Sequence, residues 1–482
     1  MAGKEFIVAI ELGSSKITGI AGKKSMDGSI QVLAVVREDA TSCIRKGVVY
    51  NIDKTSACLT NIIKKLKQLL KSEISQVYVG VGGQSIRCIR NSSVKELPED
   101  TIISQDIINE LMDNNRSTVY PDLEILDAAT QEYKVGTQYQ IDPVGIQSNK
   151  IEGNFLNIVC RKAFYRNLNK CFEKANISIA EMYLAPIALA HSVLTEAEKR
   201  SGCMLVDLGA DTTTVSVYTK NILRHLSVIP LGGNNITKDI ASLQMEESEA
   251  EKLKLEYASA YTDSASIESG KTIDIDGDRS IDLLTFVNIV EARVNEIIEN
   301  AWYQTQEYGD KLLGGIILTG GGSNMPEIKK AFSVCTGCQK IRIAGSVLQT
   351  VTSSDPTINA RNGIMNTALG LLAKGDMNCA GSVITPKTDL FDVATGGDIP
   401  TTKTTKTNDT GVVMTPAEKK RIEDERRRKA EEDAAAQAAA AQAAAQAEAE
   451  RNKGGLFSRI KKSSSEFIKK LISEETEDDN RS

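Results

Sequence analysis

Two stretches of this sequence share one pattern that decides the fold: IVAIELGSSKITGIAGKK, residues 7–24, and MLVDLGADTTTVSVYTKN, residues 204–221. Each has a short apolar run, an acidic residue, Leu-Gly, a small polar turn and a second run typical of a β-strand. Glu11 in the first copy matches Asp207 in the second. Because the copies lie far apart in the chain, they indicate the duplication of a whole domain.

The turn of each copy has the residue types that bind phosphate. Gly13 and Gly209 let backbone N–H groups approach an anion closely. Hydroxyl groups and one lysine in these turns can donate hydrogen bonds and charge; they are Ser14, Ser15, Lys16, Thr212 and Thr213. Glu11 and Asp207 end their strands and could hold Mg²⁺ through water. One such hairpin is usually an ordinary tight turn, but two matched copies favour a phosphate site.

A third glycine-rich stretch, GGIILTGGGSNMPEIKKAF (314–332), predicts a strand, a glycine turn and a helix with Pro326 near its first turn. It lacks the Lys-Ser/Thr of a P-loop and the spacing of GxGxxG. Alone it is a weak signal. Together with two phosphate hairpins, its glycines could form a flat surface that covers a base.

Residues 1–380 predict a folded α/β protein, because strand-like runs alternate with amphipathic helical runs. FIVAIEL and MLVDLG read as short buried strands, and 74–83 (ISQVYVGVGG) reads as another. The stretch 55–71 (TSACLTNIIKKLKQLLK) has apolar residues at helical spacing, with Thr55 or Ser56 as its expected N-cap.

The composition changes after residue 380. Residues 381–416 are rich in Thr, Gly, Asp and Pro, which predicts a flexible linker. Residues 417–453 are rich in Ala, Glu and Arg and predict a solvated helical or partly disordered spacer, with acid-first pairs four residues apart in support of a helix. A coiled coil would need large apolar residues that this segment lacks.

The segment 454–473, which begins GGLFSRIKKSSSEFIKKL, predicts an amphipathic helix, and an acidic tail (474–482) follows it. Four apolar residues fall within about 60° of one another on a helical wheel, opposite a basic face. This pattern favours a helix that lies on anionic lipid; docking on the protein's own core or on a partner protein is the alternative. The predicted membrane-binding residues are Leu456, Phe457, Arg459, Ile460, Lys462, Phe467, Ile468, Lys469, Lys470 and Leu471.

Composition narrows the function further. The chain has 482 residues, 41% of them hydrophobic, and a net charge of −6, so nucleic acid is not the expected partner. The N-terminus has no pattern of a signal peptide, and no apolar run approaches the roughly 20 residues of a membrane-spanning helix. Nine scattered cysteines suit reduced thiols in a cytoplasm, and a lone CxxC (335–338) lacks the further ligands of a zinc site. Two histidines leave little room for a Ser-His-Asp triad or a histidine metal cluster.

The order of these three motifs resembles the actin/Hsp70/sugar-kinase superfamily of ATPases. Three further stretches resemble the bacterial cell-division family FtsA within it: 191–209 (HSVLTEAEKRSGCMLVDLG), 228–241 (VIPLGGNNITKDIA) and 249–258 (EAEKLKLEYA). The resemblance covers about residues 5–375, and a terminal amphipathic helix is also a feature of that family.

The resemblance implies an α/β fold of two actin-like, ribonuclease-H-like lobes with a nucleotide between them. The first lobe would comprise 1–84 and 164–203, with a small α+β subdomain inserted at 85–163 for contacts with other protomers and partners. The second lobe would comprise 204–380.

The resemblance also extends the nucleotide site. ATP and Mg²⁺ are the implied cofactors, and the phosphate loops would run from Glu11 to Lys16 and from Asp207 to Thr213. The further nucleotide-binding residues would be Ala210, Asp211, Gly232, Gly233, Glu251, Lys254, Gly320, Gly321, Gly322 and Ser323. Glu251 and Lys254, one helical turn apart, also suit an ordinary ion pair on an exposed helix.

The sequence departs from the family pattern at three places. Asp is usual where this chain has Glu11, and the second loop usually reads close to GxGTTD or GGGTTD. Here Asp211 puts a negative charge where phosphates would lie, and Thr214 removes another acid. Such a charge must point away, meet Mg²⁺ or weaken ATP binding, since two like charges about 4 Å apart repel by several kcal/mol at an effective dielectric near 20. Ala185-Pro186 stands where Hsp70-like relatives have Glu-Pro, so no general base is evident there.

The resemblance implies a structural protein, with weak or absent ATPase activity, that polymerises on the cytoplasmic face of the inner membrane at the division site. Its implied partners are the C-terminal tail of FtsZ, which would bind at about residues 230–315, further copies of itself, anionic lipids and later division proteins. A small-molecule kinase of the same fold, an Hsp70-type chaperone and an actin-like assembly protein of a pilus or secretion system are the alternatives.

Overall fold

A computed structural model of the chain describes residues 5–263, 270–275, 279–381, 411–413 and 427–428. The chain divides into two units, Met1–Met414 and Thr415–Ser482. In the second unit the described residues are Arg427 and Arg428, which are helical. The predicted membrane helix and acidic tail lie outside the described residues, as does the rest of the predicted spacer. No helix in the described part of the chain combines the length and apolar composition needed to cross a bilayer.

Seven strands form the sheet of the first lobe. They are β1 (Ile7–Leu12), β2 (Lys16–Lys24), β3 (Ile30–Asp39), β6 (Val77–Val81), β11 (Ile179–Leu184), β19 (Val351–Thr352) and β20 (Val412–Val413). Their order across the sheet is β19-β3-β2-β1-β6-β11-β20. A separate two-stranded hairpin consists of β4 (Ile44–Arg45) and β5 (Val48–Val49). The predicted strands at FIVAIEL and at 74–83 are confirmed as β1 and β6.

Five strands of the second lobe repeat this plan. They are β12 (Cys203–Leu208), β13 (Thr213–Thr219), β14 (Ile222–Ile229), β17 (Gly315–Thr319) and β18 (Ile341–Ile343). The order β14-β13-β12-β17-β18 matches β3-β2-β1-β6-β11. The directions match as well, because the first three strands of each set are antiparallel and the last three are parallel. The duplication read from two short motifs therefore extends over a whole sheet, and the two-lobed α/β fold is confirmed.

The insert is a small α+β unit. It contains β7 (Arg87–Glu96), α2 (Gln105–Arg116), β8 (Leu123–Val135), β9 (Gln138–Gln140) and β10 (Lys150–Arg161). Its own core includes Leu111 and Phe155, which are almost fully buried. Its sheet meets the second lobe at one strand pair, where Ser227 of β14 lies opposite Arg87 of β7.

Helices pack on both sheets. In the first lobe they are α1 (Ile52–Leu70), α3 (Lys162–Lys174), α4 (Ala185–Val193) and α5 (Glu196–Ser201). The helices that come later in the chain are α6 (Gly233–Ala241), α7 (Glu247–Tyr257), α8 (Leu283–Tyr303), α9 (Ile328–Thr336), α10 (Pro356–Asn359) and α11 (Asn366–Lys374). A short hairpin, β15 (Thr272–Asp274) with β16 (Ser280–Asp282), precedes α8. The strand, glycine turn and helix predicted over 314–332 are confirmed as β17, a 3₁₀ turn and α9.

The predicted start of the first helix is wrong by one turn. Asn51 caps α1, since its side-chain oxygen accepts a hydrogen bond of 3.0 Å from the N–H of Lys54. Thr55 and Ser56 lie inside the helix, where their hydroxyls donate to the carbonyls of Asn51 and Ile52. Both hydroxyls are buried, so they bond to the preceding turn instead of capping.

Two boundaries drawn from the sequence also need correction. The stretch from β19 to the end of α11 belongs to the first lobe, because β19 pairs with β3 and α11 packs on α4, β1 and β2. Leu371 and Leu372 are buried in the first-lobe core. Within the predicted flexible linker, β20 pairs with β11 at the edge of the sheet, and Val413 is fully buried.

Candidate nucleotide-binding site

The two phosphate hairpins have the same strand register. In the first, Glu11 lies opposite Thr18 across the β1–β2 pair. In the second, Asp207 lies opposite Thr214 across the β12–β13 pair. Each acid therefore occupies the equivalent position in its lobe, at the carboxyl end of a central strand, as the two sequence copies predict.

The glycine of each turn is required by its geometry. Gly13 N–H donates to the carbonyl of Lys16 at 3.1 Å, and Gly209 N–H donates to the carbonyl of Thr212 at 2.9 Å. A Cβ atom at either glycine would lie 2.8 Å from that same carbonyl oxygen. Any side chain would therefore push the turn apart, which explains glycine at both positions.

Asp207 is close enough to Glu11 to affect its ionisation. The pKa of Glu11 is raised to about 8, chiefly by burial and also by the carboxylate of Asp207, while Arg37 opposes the effect. Enclosure also raises the pKa of Asp207 to about 6. Neither carboxylate has a hydrogen-bond or ion-pair partner among the described residues. Two repelling, unpaired carboxylates are a fitting environment for a cation, which would relieve both costs.

A cation here would need water to complete its coordination. Within the described ranges, no group of three or more His, Cys, Asp or Glu side chains could hold a metal ion. Mg²⁺ commonly keeps several waters and uses only one or two protein carboxylates. The pair Glu11 and Asp207 therefore fits the predicted water-mediated site.

The first loop presents its polar groups unevenly. Lys16 is exposed, whereas Ser14 and Ser15 are partly buried. The hydroxyl oxygen of Ser14 accepts a hydrogen bond of 2.8 Å from the N–H of Gly47, which lies in the turn between β4 and β5. Ser14 thus ties the first loop to this turn.

Asp211, the unexpected acid of the second loop, is held by two donors from different lobes. Its Oδ2 accepts a hydrogen bond of 3.0 Å from the N–H of Lys46 in the first lobe. Its Oδ1 accepts one of 2.7 Å from the amide of Asn234, near the start of α6. Its charge is thus compensated by hydrogen bonds, which the sequence could not reveal.

Two predicted hydroxyl ligands are turned into the protein. Thr213 is fully buried, and its hydroxyl donates to the carbonyl of Leu231 at 2.9 Å. Ser323 is also fully buried, and its hydroxyl donates to the carbonyl of Gly320 at 2.7 Å. Both hydroxyls bond to loop carbonyls here, and the assignment of Thr213 and Ser323 as nucleotide contacts stays a prediction. Thr212 and Ala210 remain partly accessible in the second loop.

The N-terminus of α6 packs directly against the second loop. Gly233 N–H donates to the carbonyl of Gly209 at 3.0 Å, and Asn234 N–H donates to that of Ala210 at 2.7 Å. A Cβ atom at Gly232 would lie 2.6 Å from the Ala210 carbonyl oxygen. Gly232 and Gly233 thus shape the loop, and these first N–H groups of α6 are already used by it.

Glu251 and Lys254 of α7 form a polar cluster with α6. The Nζ of Lys254 lies 2.6 Å from Oε2 of Glu251 and 2.9 Å from the hydroxyl of Thr237. It also donates to the carbonyl of Gly233 at 3.2 Å. The Lys254 side chain is 10% exposed and that of Glu251 is 41% exposed. The ion pair is present, and its lysine also bonds to Gly233, the residue that packs against the second loop.

The glycine turn after β17 lies against β12. Gly320 has a φ of +81°, and a Cβ atom there would lie 2.3 Å from Oδ1 of Asp207. A Cβ atom at Gly322 would lie 2.9 Å from the Cβ of Leu208. A Cβ atom at Gly321, in contrast, would make only an ordinary van der Waals contact, 3.9 Å from Cγ1 of Ile364. Gly320 and Gly322 thus allow the turn to approach the second phosphate hairpin, whereas no close contact requires glycine at position 321.

The structure adds residues that sequence reasoning missed. Lys46 and Gly47 contact both phosphate loops, and Thr237 joins the Glu251–Lys254 pair. The only sequence signal for the first two was Lys-Gly between two short runs with β-branched residues, IR and VV, which suits a two-residue hairpin turn. Thr237 carried no such signal.

The predicted membrane-binding residues cannot be placed in this geometry. All of them, from Leu456 to Leu471, lie outside the described residues.

Comparison with known proteins gives the fold its class. A chain from the PilM–PilN type IV pilus biogenesis complex matches 76% of this chain and 98% of its own length, with a TM-score of 0.55 and 14% identity. This likeness concerns the fold, a two-lobed actin-like architecture with α/β sheets. Sequence identity is higher to the relatives described next.

A family model described as "Cell division protein FtsA" matches residues 204–370, and one described as "SHS2 domain inserted in FTSA" matches residues 83–159. The cell division protein FtsA of Porphyromonas gingivalis is 31% identical over 339 residues, which cover 68% of this chain and 70% of that protein. The protein of the same name from Pseudomonas aeruginosa is 28% identical over 381 residues, covering 77% and 89%. The chain belongs to the FtsA family of actin-like cell-division proteins.

Proposed function

We propose that the cleft between the two lobes binds ATP with Mg²⁺. The observation that carries the proposal is the matched pair of hairpins, in which equivalent glycine turns and equivalent acids occur once in each lobe. The phosphates would contact the two loops, with Lys16 supplying positive charge. The base would lie near Gly321 and the Glu251–Lys254 pair.

Bound Mg²⁺ would neutralise phosphate charge and lower the pKa values of the two acids. Glu11 and Asp207 would hold it through water. Without a cation, Glu11 is largely protonated at neutral pH because its pKa is about 8. A protonated carboxyl group is a poor general base, and Ala185 at the start of α4 offers no carboxylate. ATP hydrolysis is therefore slow or absent, and ATP acts as a conformational ligand.

The ligand-bound protein would polymerise on the cytoplasmic face of the inner membrane at the division site. Its terminal amphipathic helix would hold it there as a peripheral protein on anionic lipid. One helix binds modestly and reversibly, but many helices on one polymer bind tightly through avidity.

The polymer would link the FtsZ ring to the membrane and recruit later division proteins. The C-terminal tail of FtsZ is the proposed ligand of the second lobe, within about residues 230–315. The insert is the proposed surface for contacts between protomers and with the later proteins.

Co-sedimentation with anionic vesicles tests the proposal. The full chain is compared with a chain that ends at Lys453, each with and without Mg-ATP. Pelleting that needs both the tail and ATP supports a nucleotide-dependent membrane polymer. Pelleting that needs the tail alone would remove ATP from the mechanism, and pelleting without the tail would overturn the membrane assignment.

A further inference from the structure

Asp211 forms a direct hydrogen-bonded link between the two lobes at the mouth of the phosphate loops. One carboxylate oxygen is bonded to Asn234 of its own lobe at 2.7 Å, which fixes the side chain. The other accepts from the backbone N–H of Lys46 in the first lobe at 3.0 Å. Hydrogen bonds to a charged acceptor are stronger than neutral ones, so this one carboxylate favours the approach of the two lobes.

The first-lobe partner is a turn built to present N–H groups. Lys46 and Gly47 have φ values of 50° and 72°, and they form the two-residue turn between β4 and β5. Two consecutive positive φ values define a turn of type I′. Its two N–H groups point away from the hairpin, one to Asp211 and one to the hydroxyl of Ser14.

The turn is rigidly attached to its own lobe. The N–H of Gln84 donates to the carbonyl of Lys46 at 2.9 Å. A Cβ atom on Gly47 would lie 2.5 Å from the Cα of Gly83, so the two glycine backbones touch. The Lys46 N–H is therefore held in a fixed position relative to the first lobe.

A carboxylate oxygen and a phosphate oxygen are the same kind of partner for a backbone N–H, since both are anionic acceptors. We propose that Asp211 is an internal substitute for a phosphate group: it latches the Lys46 turn to the second loop in the nucleotide-free protein and gives up that N–H to a phosphate of the bound nucleotide. The inference rests on the proposed nucleotide site. It adds that this chain closes its cleft partly by itself and that ATP must displace a side chain to bind.

Amide hydrogen exchange at Lys46 and Gly47 tests the latch directly. Asp211→Ala removes the acceptor of Lys46 but leaves Ser14, the acceptor of Gly47. In the absence of nucleotide, we expect the Lys46 amide to exchange at least about tenfold faster in this variant, with Gly47 unchanged. Asp211→Asn keeps a neutral acceptor and should fall between the wild type and Asp211→Ala.

Asp39→Asn is the matched control. Asp39 lies opposite Lys16 in the β2–β3 pair, is exposed, and bonds to Thr41 of its own lobe. The substitution removes one negative charge from the same end of the sheet and leaves the hydrogen bond between Asp211 and Lys46 in place. Exchange at Lys46 should therefore stay at the wild-type rate.

Titration with Mg-ATP completes the test. Asp211→Ala should bind Mg-ATP about tenfold more tightly than the wild type, and saturating Mg-ATP should restore protection of its Lys46 amide. Tighter binding with unchanged exchange at Lys46 would mean simple charge repulsion and would overturn the latch. Weaker binding would make Asp211 a ligand of the metal or nucleotide and would also overturn it. If neither wild type nor variant binds Mg-ATP, the proposed nucleotide function fails, while faster exchange at Lys46 in Asp211→Ala would still establish the link between lobes.

Discussion

At the scale of single residues, the two matched acids Glu11 and Asp207 make the fold sensitive to pH. Neither carboxylate has a hydrogen-bond or ion-pair partner among the described residues, and the pKa of each is raised, chiefly by burial. A carboxyl whose pKa is higher in the folded protein than in the unfolded chain stabilises the fold while it is protonated. That contribution is complete below the unfolded pKa and is lost as the pH rises through the folded pKa.

Glu11→Gln should therefore change how stability depends on pH. The pKa of Glu11 rises from 4.5 to about 8, so the wild type should lose stability between about pH 5 and pH 8. The neutral glutamine avoids this loss, and the variant should be more stable than the wild type at pH 8 by up to a few kcal/mol. Urea denaturation at pH 5 and pH 8, in EDTA, measures the difference.

Added Mg²⁺ should narrow the gap at pH 8, because a cation stabilises the wild-type carboxylates and not the amide. Glu5→Gln, at an exposed glutamate just before the same strand, is the matched control and should leave the pH profile unchanged. A wild type equally stable at both pH values would contradict the raised pKa.

The close contact between Gly320 and Asp207 makes a second prediction. Gly320→Ala forces a non-glycine residue to a φ of +81° and places its Cβ atom 2.3 Å from Oδ1 of Asp207. We expect a loss of about 2 kcal/mol or more in the free energy of unfolding. Gly321→Ala is the control, with an expected change near zero, because its Cβ atom would make only an ordinary contact, 3.9 Å from Cγ1 of Ile364. Equal losses in the two variants would show that the contact with Asp207 is not what requires glycine.

The sequence could predict the positions of site residues better than their side-chain contacts. The acids and glycines of both hairpins follow from the strand pattern, because the register is repeated. Thr213 and Ser323 were predicted as ligands because their residue type suits phosphate or ribose, but the direction of a hydroxyl depends on neighbours such as Leu231 that are distant in sequence. Lys46 was missed because its contribution is a backbone N–H, which every residue except proline has.

At the scale of elements, local pattern identified strands and helices but not always the sheet they join. The apolar sequence of α11 predicts a helix in either lobe. Its packing against α4 and β1 is what assigns it to the first lobe. The strand β20 likewise could not be assigned to a sheet from its own sequence. GVV is too short and too common to predict a strand, and its pairing partner β11 lies far away in sequence.

Several contacts fix β20 at the edge of the first-lobe sheet. Gly411 has a φ of +70°, and a Cβ atom there would lie 2.8 Å from Cγ2 of Ile187. Its carbonyl accepts from Leu184 N–H at 2.7 Å, and its own N–H donates to the buried carboxylate of Asp127 at 3.1 Å. Since Asp127 belongs to β8, this short strand joins the insert to the first lobe.

Val413→Asp should detach this strand. Val413 is fully buried in the first-lobe core, and an aspartate there would be an unpaired buried charge. Because three residues can leave together, we expect a loss of only about 1 kcal/mol in global stability but clearly faster amide exchange at Leu184. Val119→Asp, at a valine that is 82% exposed, is the control and should change neither. Unaltered exchange at Leu184 in Val413→Asp would mean that β20 does not protect this edge.

At the scale of the whole molecule, β20 shortens the stretch of sequence between the folded unit and the predicted membrane helix. Without it, the chain between the folded unit and the predicted membrane helix would span residues 382–453. With Val413 fixed in the sheet, that interval is 414–453. The attachment point also lies beside the insert, because the N–H of Gly411 donates to Asp127 of β8.

The membrane assignment gives the last prediction. Phe457→Glu combined with Phe467→Glu places two charges on the apolar stripe of the predicted helix, where each would have to leave water for lipid. We expect the double variant to lose at least about 90% of its binding to anionic vesicles in co-sedimentation, because each phenylalanine buries a large apolar area. Ser458→Glu combined with Ser465→Glu adds the same charge to the opposite face of the wheel.

The serine variant separates the two forces that would hold the helix on the membrane. It keeps the apolar stripe and weakens only the electrostatic attraction, which contributes about 1 kcal/mol per basic residue near an anionic surface. Its binding should fall partially and recover on vesicles with more anionic lipid, whereas that of the phenylalanine variant should not recover. If both variants bind equally weakly and recover together, charge alone holds the tail. If the phenylalanine variant binds like the wild type, the amphipathic helix docks on protein instead of lipid.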